Sequence, residues 1–270
     1  MSGKFTSWEE SIQWLRNQPD QQELVRAAFY DDPLLDAAKR YVESSEWIAV
    51  RAFLPTQKST VLDVGAGRGI ASYALAHDGW QVSALEPNPS VLVGAEAIRS
   101  LVAQTSFEIN VVENWGESLP FADASFEVVH CRAVLHHAHD LTKLCGEIHR
   151  VLQPGGTVIA TREHVISRKE DLNEFLNAHP LHHLYGGENA YLLEEYIQAI
   201  KNAGMLITHV LNPLASDINL YPSTIKATKS RIATRLHIPA WLIPNLALQT
   251  YGALSNVPGR LYSFVARKPL

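Results

Sequence analysis

An open, doubly wound and mostly parallel α/β sheet is the architecture this sequence predicts, on three observations. Short apolar runs rich in Val, Ile and Leu alternate with helix-period segments between Val61 and Thr161, as expected of strands buried on both faces and the helices that cover them. The first run, Val61-Leu62-Asp63-Val64, passes directly into Gly65-Ala66-Gly67-Arg68-Gly69, a turn where backbone must come close to something. Finally, the runs end in chemistry: Glu86, Arg132 and Arg162 each follow one, at the carboxyl ends of strands where the crevice of such a sheet lies.

A helical prelude precedes the glycine turn. Ser7 with Glu10 forms a capping box for a helix through about Arg16, and Asp20 with Glu23 opens a second that ends near Tyr30. Asp32-Pro33 starts a third, and Ser44 or Ser45 caps a fourth that Pro55 ends. Trp8, Trp14, Phe29, Tyr30, Tyr41 and Trp47 make this region aromatic, which suits either packing onto the core or a lid over a ligand.

Seven strands are expected. After Val61–Val64 and a helix from Ile70 to Ala76 come a strand from Trp80 to Glu86, a helix from Ser90 to Val102, and strands at 109–112 and 126–131. An amphipathic helix from Leu141 to Leu152, closed by Pro154-Gly155-Gly156, leads to the fifth strand, 157–161. A polar, histidine-rich connection and a helix from Leu192 to Ala203 follow. Strands 206–211 and 261–266 close the sheet, antiparallel at its edge, around an insertion with two helices. The expected organisation is a helical lid over residues 1–55, a ligand-binding core over 56–212, and an insertion with the last strand over 213–270.

The turn separates several nucleotide loops. A phosphate-cradling loop needs Gly-Lys-Ser/Thr, whereas Ile70-Ala71 follows Gly69 here. A dinucleotide fingerprint needs a small residue at Ile70, which stands against a nicotinamide oxidoreductase. Glu86 lies about 20 residues after the turn, where a carboxylate at the tip of the neighbouring strand accepts hydrogen bonds from both ribose hydroxyls.

Five ordered blocks carry a resemblance: Val61 to Gly69; Leu85-Glu86-Pro87; Glu117-Ser118-Leu119-Pro120-Phe121; Phe126 to His130 with Val134-Leu135-His136-His137; and Arg150-Val151-Leu152-Gln153-Pro154-Gly155-Gly156. In order and spacing the chain resembles the class I S-adenosylmethionine-dependent methyltransferases, in particular the small-molecule branch with the quinone-biosynthesis-like domain. The resemblance implies a Rossmann-like core and S-adenosylmethionine as cofactor. It also implies cofactor contacts at Asp63, Gly65, Ala66, Gly67, Glu86, Pro87, Trp115, Gly116, Glu117, Cys131 and Arg132. Trp115 departs from the family pattern, which usually has an aspartate there for the adenine amino group. It either stacks on the base or turns away and leaves the backbone of Gly116 and Glu117 to read it.

Methyl transfer is an in-line displacement, so the protein's part is position and, for an oxygen acceptor, proton removal. The candidates are His164, His136 and Glu163, at or after the ends of the fourth and fifth strands. His164 is preferred as base because it lies outside the common core, where acceptor-specific residues are expected. A small-molecule methyltransferase acting most readily at oxygen is the expected function, and a cofactor-binding protein without turnover is the alternative that Trp115 raises.

His179-Pro180-Leu181-His182-His183 with Glu188 offers imidazole and carboxylate ligands. Pro180 interrupts the run and no H-E-x-x-H pattern occurs, so no metal is expected; Tyr185-Gly186-Gly187 reads instead as a closing turn. A net charge of -5 and no long basic run argue against nucleic acid as a partner. Cys131 and Cys145 are too few and wrongly spaced for a disulfide framework or a cysteine zinc site. The first ten residues lack the apolar core of a signal peptide, and Pro239 and Pro244 break the most apolar late stretch. A cytoplasmic protein with a small-molecule acceptor and no membrane span is expected.

Overall fold

The computed structural model describes residues 7–270; most of the N-terminal stretch read for a leader therefore lies outside the described residues. Eight strands form one sheet: β1 Thr60–Val64, β2 Gln81–Leu85, β3 Ile109–Val112, β4 Phe126–Arg132, β5 Leu152–Ile166, β6 Tyr191–Leu192, β7 Leu206–Leu211 and β8 Arg260–Arg267. Their order is β3-β2-β1-β4-β5-β8-β7, with β6 beside the end of β5. The first six pair in parallel, whereas β8 runs antiparallel to both β5 and β7. The chain winds outward from β1 in one direction and from β4 in the other, so the crevice opens between these two at the switch point.

Alternation along β1 sets the two faces. Leu62 and Val64 join a core with Val129, Cys131, Leu144, Ile148, Tyr196 and Phe264. Val61 faces the other core, with Leu75, Val128, Ile159, Phe29, Tyr41 and Trp47. The prelude aromatics therefore divide. Tyr41 and Trp47 are core residues, fixed in part by the Trp47 Nε1 bond to Asp78 Oδ2 at 3.0 Å, Trp8 and Tyr30 line the cavity described below, and Phe29 does both.

Four helices make the prelude: α1 Trp8–Arg16, α2 Gln22–Ala27, α3 Leu34–Val42 and α4 Ser45–Arg51. The capping box forms, with Ser7 Oγ accepting from Glu10 N and Glu10 Oε2 from Ser7 N. Ser44, rather than Ser45, caps α4 by accepting from Trp47 N. After β1, α5 spans Ile70–His77, starting at Gly69, whose φ of 80° is left-handed. The helix α6, Ala95–Val102, follows β2, and α7, Leu141–Val151, follows β4.

Four features differ from the sequence expectation, one of them an eighth strand, the two-residue β6 beside the end of β5. β5 runs to Ile166, five residues beyond Thr161, because β8 pairs with it again at Glu163, His164 and Val165 after an irregularity. Arg162 sits in that irregularity at φ 61°, and such bulges bend a strand and re-aim its side chains. The histidine-rich connection contains a helix, α8 Asp171–Ala178, ahead of α9, Leu193–Asn202. The insertion holds three helices rather than two: α10 Asp217–Leu220, α11 Ile225–Leu236 and α12 Asn245–Ala253. Its Trp241 and Tyr251 are solvent-exposed and belong neither to the core nor to the cavity. No helix of the described residues is long and apolar enough to cross a membrane.

Candidate active site

A cavity of about 650 Å³ opens beyond the carboxyl ends of β1, β2, β4 and β5, within the range of small-molecule sites. It has two chemically different ends.

The first is built around the glycine turn. Gly65 and Gly67 have φ of 63° and 55°. A Cβ on Gly65 would lie 2.7 Å from Val134 Cγ2, whereas one on Gly67 would meet nothing within 4 Å. Gly65 thus lets the loop after β4 close against the turn, and Gly67 presents bare backbone to the cavity. Glu86, at the tip of β2, accepts from Gly67 N at 2.7 Å and from Asn88 N at 3.0 Å. Burial pushes its pKa above the ordinary glutamate value despite these two donors. Each oxygen still has a lone pair for a further donor, which is the acceptor set a vicinal diol requires.

Asp63 lies beneath the turn. Its Oδ2 accepts from Ser72 Oγ at 2.6 Å, and its Oδ1 meets His130 Nδ1 at 2.8 Å. It therefore ties β1 to α5 and β4 while still contributing to the cavity wall. Ala66, Pro87, Trp115, Gly116, Glu117 and Arg132 also line the cavity. Trp115 remains 62% exposed, with its ring tilted against His139. Glu117 Oε1 accepts from His139 N at 2.9 Å, which fixes the loop that carries it.

Cys131 is the exception among the expected cofactor contacts. It is fully buried beside Leu144 and Cys145 on the far face of β4 and does not line the cavity. Strand alternation is the reason, since only every second residue of β4 faces the prelude side.

The second end is built from imidazoles. His136, in the short turn after β4, and His164, on the extended part of β5, have ring centroids 4.7 Å apart. His164 Nδ1 donates to Gly259 O at 2.8 Å. His136 Nδ1 meets Glu163 Oε2 at 2.7 Å. Burial pushes the His164 pKa down to about 3, and burial likewise holds His136 well below the ordinary histidine value. Both rings are neutral at pH 7.

Glu163, expected among the catalytic groups, does not line the cavity. It is fully buried beneath the loop after β4, accepting from the backbone N–H groups of Val134 and His136. Burial raises its pKa to about 7 against the pull of these donors. It acts on His136, not on a ligand. The reason is the bulge at Arg162, which turns Glu163 inward and His164 outward.

Arg132 and Arg162 close the wall behind this end. Arg132 Nε and Nη2 donate to the two carboxylate oxygens of fully buried Glu46, and Arg162 Nη1 lies 3.7 Å from the same group. Burial alone would raise the Glu46 pKa, but the two guanidiniums outweigh it and hold the carboxyl below its usual range. Tyr30, Tyr221, His179 and Glu188 complete the lining. Sequence reading weighed Tyr30 as part of a lid and His179 with Glu188 as metal ligands without placing them in the site, and it did not raise Tyr221. Glu188 had one signal, its place after Gly186-Gly187, two glycines at positive φ.

Residues 62–160 match the methyltransferase-domain family, the segment that holds the turn, Glu86 and the loop after β4. The chain carries a class I S-adenosylmethionine-dependent methyltransferase domain. S-adenosylmethionine is the methyl donor of that family, and the bare backbone at Gly67 with the acceptor-only Glu86 fits its ribose. The chain is 32% identical over 125 residues to the uncharacterized methyltransferase YcgJ of Bacillus subtilis, covering 43% of this chain and 45% of that protein. It is 36% identical over 114 residues to a ubiquinone biosynthesis O-methyltransferase of Pseudomonas paraeruginosa, covering 42% and 47% respectively. It thus spans about half the length of these relatives.

The likeness in fold extends further than the methyltransferase domain. A geranyl diphosphate methyltransferase in complex with GPP and sinefungin superposes with a TM-score of 0.63 over 96% of this chain and 98% of that one, at 14% identity. The [4+2]-cyclase SpnF superposes with a TM-score of 0.56 over 87% and 82%, at 20% identity. The fold therefore includes the prelude and insertion, and it leaves the acceptor to be read from side chains.

Proposed function

We propose that the protein transfers the methyl group of S-adenosylmethionine to an oxygen of a small molecule held at the imidazole end of the cavity. The observation that carries this reading is one cavity joining Gly65, Gly67 and Glu86 to His136 and His164. The cofactor supplies an electrophilic methyl carbon and a neutral thioether leaving group. Gly67 and Glu86 hold its nucleoside, with Gly116 and Glu117 beside the base. As the acceptor oxygen bonds to the methyl carbon, the carbon–sulfur pair goes to sulfur and the hydroxyl proton must leave.

That proton goes to the imidazole end. With Nδ1 donating to Gly259 O, His164 carries its lone pair on Nε2. Its weak basicity favours an acceptor whose hydroxyl is already acidic, such as a phenol or an enol. The Tyr185-Gly186-Gly187 turn, opposite Trp8 and Tyr30 in the wall, excludes water when the acceptor is seated.

Radiolabelled S-adenosylmethionine incubated with the protein and a panel of phenolic and enolic metabolites tests this. The expected result is a labelled methyl ether with one equivalent of S-adenosylhomocysteine. Transfer only to nitrogen or carbon would move the acceptor atom, and calorimetry with no S-adenosylhomocysteine binding would remove the reading altogether.

A further inference from the structure

We propose that His136, His164 and Glu188 form a binding site for a divalent first-row transition ion at the imidazole end of the cavity. One ligand atom from each of the three lies within 4.8 Å of the others, although they come from the turn after β4, the extended part of β5 and the loop before β6. The site goes beyond the methyl-transfer reading and rests on it only for what the ion does to an acceptor.

Hydrogen-bond chemistry identifies the ligand atoms. Gly259 O can only accept, so His164 Nδ1 carries the proton and Nε2 the lone pair. Gly187 O fixes His137 in the same way, at 3.0 Å from Nδ1. Glu163 Oε2, which already accepts from His136 N, faces His136 Nδ1. The Nε2 atoms of His136 and His137 then lie 3.8 Å and 4.0 Å from Glu188 Oε2. Both are beyond hydrogen-bond reach. With Glu163 ionised, lone pairs therefore face a carboxylate, which is itself an acceptor, and a cation satisfies such a set.

The surroundings match a metal centre. Glu188 is 8% exposed, and among the described residues no donor hydrogen-bonds to it. Each ligating histidine has its other nitrogen held by a carboxylate or a carbonyl, the usual outer shell of metal-bound imidazole. His179 Nδ1 lies 4.0 Å from Glu188 Oε1 and is buried without a hydrogen-bond partner among the described residues.

Two imidazoles and one carboxylate suit zinc, iron(II) or cobalt(II) and leave coordination positions open. Those positions face the cavity. An acceptor oxygen coordinated there loses its proton more readily, to solvent before the turn closes, since coordination to a cation lowers the pKa of a bound hydroxyl. The weak basicity of His164 then ceases to limit transfer, because the histidines hold the ion while the ion acidifies the acceptor. No oxidant or reductant is involved. The sequence ran against such a site because its spacing arguments concerned His179, His182 and His183, whereas two of the three ligands lie 24 and 52 residues before Glu188.

The test is cobalt titration of the chelator-stripped full chain, read as visible d–d absorption and checked by elemental analysis of zinc-loaded protein. The expected outcome is saturation at one ion per chain, with zinc displacing cobalt. H164A and E188Q each weaken cobalt binding by more than about tenfold, and E163Q by about tenfold through His136. S-adenosylhomocysteine binding by calorimetry runs alongside and reports folding of each variant. Its loss in the unaltered protein would sink the methyl-transfer reading and leave the metal test standing. The site is overturned if cobalt gives no saturable band, or if the band survives unchanged in a folded H164A or E188Q, which would assign the ion to other histidines.

Discussion

The glycine end and the imidazole end of one cavity are built on opposite plans. At the glycine end bare backbone at Gly67 and one acid, Glu86, face the cavity, and the residues that shape it lie in β1, its following turn, the tip of β2 and the segment from Trp115 to Glu117. At the imidazole end the titratable groups are side chains, contributed by segments as far apart as Tyr30 and Tyr221. Backbone recognition constrains the sequence locally, through glycines at positive φ and one acid at a fixed distance. Side-chain recognition leaves no local mark, because any loop that reaches the crevice can supply it. The first end can thus be shared by proteins with different substrates; at the second, His136 lies within the matched segment 62–160, whereas His164, His179 and Glu188 lie beyond it.

The sharpest way to break this comparison is to remove the buried brace behind the imidazole end. Glu46 neutralises Arg132 and approaches Arg162, so Glu46→Gln leaves two guanidiniums without their carboxylate. Unfolding free energy is expected to fall by about 3–5 kcal/mol, measured by urea denaturation. The sign with pH follows from the depressed Glu46 pKa. The stabilisation is present above the unfolded carboxylate value, about 4.3, and is lost as pH falls through the lower folded value. The difference between the two proteins should therefore shrink in acid. A variant as stable as the parent at pH 7 would show that the prelude merely covers the imidazole end instead of holding it.

Glu86→Gln attacks the other end. Calorimetry should show S-adenosylhomocysteine binding weakened by about tenfold to a hundredfold, the equivalent of roughly 1.5–3 kcal/mol for bonds to a charged acceptor. Stability should change little, since the carboxylate is already disfavoured by burial. Because the Glu86 pKa is raised, affinity in the parent should begin to fall on acidification at a higher pH than an ordinary glutamate would dictate. The Gln variant should lack that component. Unchanged cobalt binding in Glu86→Gln would sharpen the separation of the two ends, and coupled losses would erase it.

The same contrast explains what could be read from the sequence. The alternation of strands and helices, the turn at Gly65 to Gly69 and Glu86 follow from periodicity and spacing within about 100 residues. The edge of the fold was less legible. Arg162 gives no sign that it forms a bulge, so Glu163 was read as facing a ligand when the bulge turns it toward His136. Cys131 was lost to alternation, since a one-residue choice of face on β4 decides between cavity and core. Glu188 meets His136 and His164 only through the pairing of β8 and β6 with β5, which sequence distance does not reveal.

Trp115 sits where the two plans meet, and it carries the smallest expected effect. It replaces the acid usual at this point in the family, yet its ring is largely exposed at the cavity mouth. An indole that stacks on a bound base contributes about 0.5–1.5 kcal/mol, so Trp115→Ala should weaken S-adenosylhomocysteine binding by roughly twofold to tenfold. Quenching of tryptophan fluorescence on ligand addition should diminish in the same variant. If neither changes, the backbone of Gly116 and Glu117 reads the base alone, and the glycine end is a backbone site throughout. A loss well beyond tenfold would instead make a side chain decisive there and narrow the difference between the two ends.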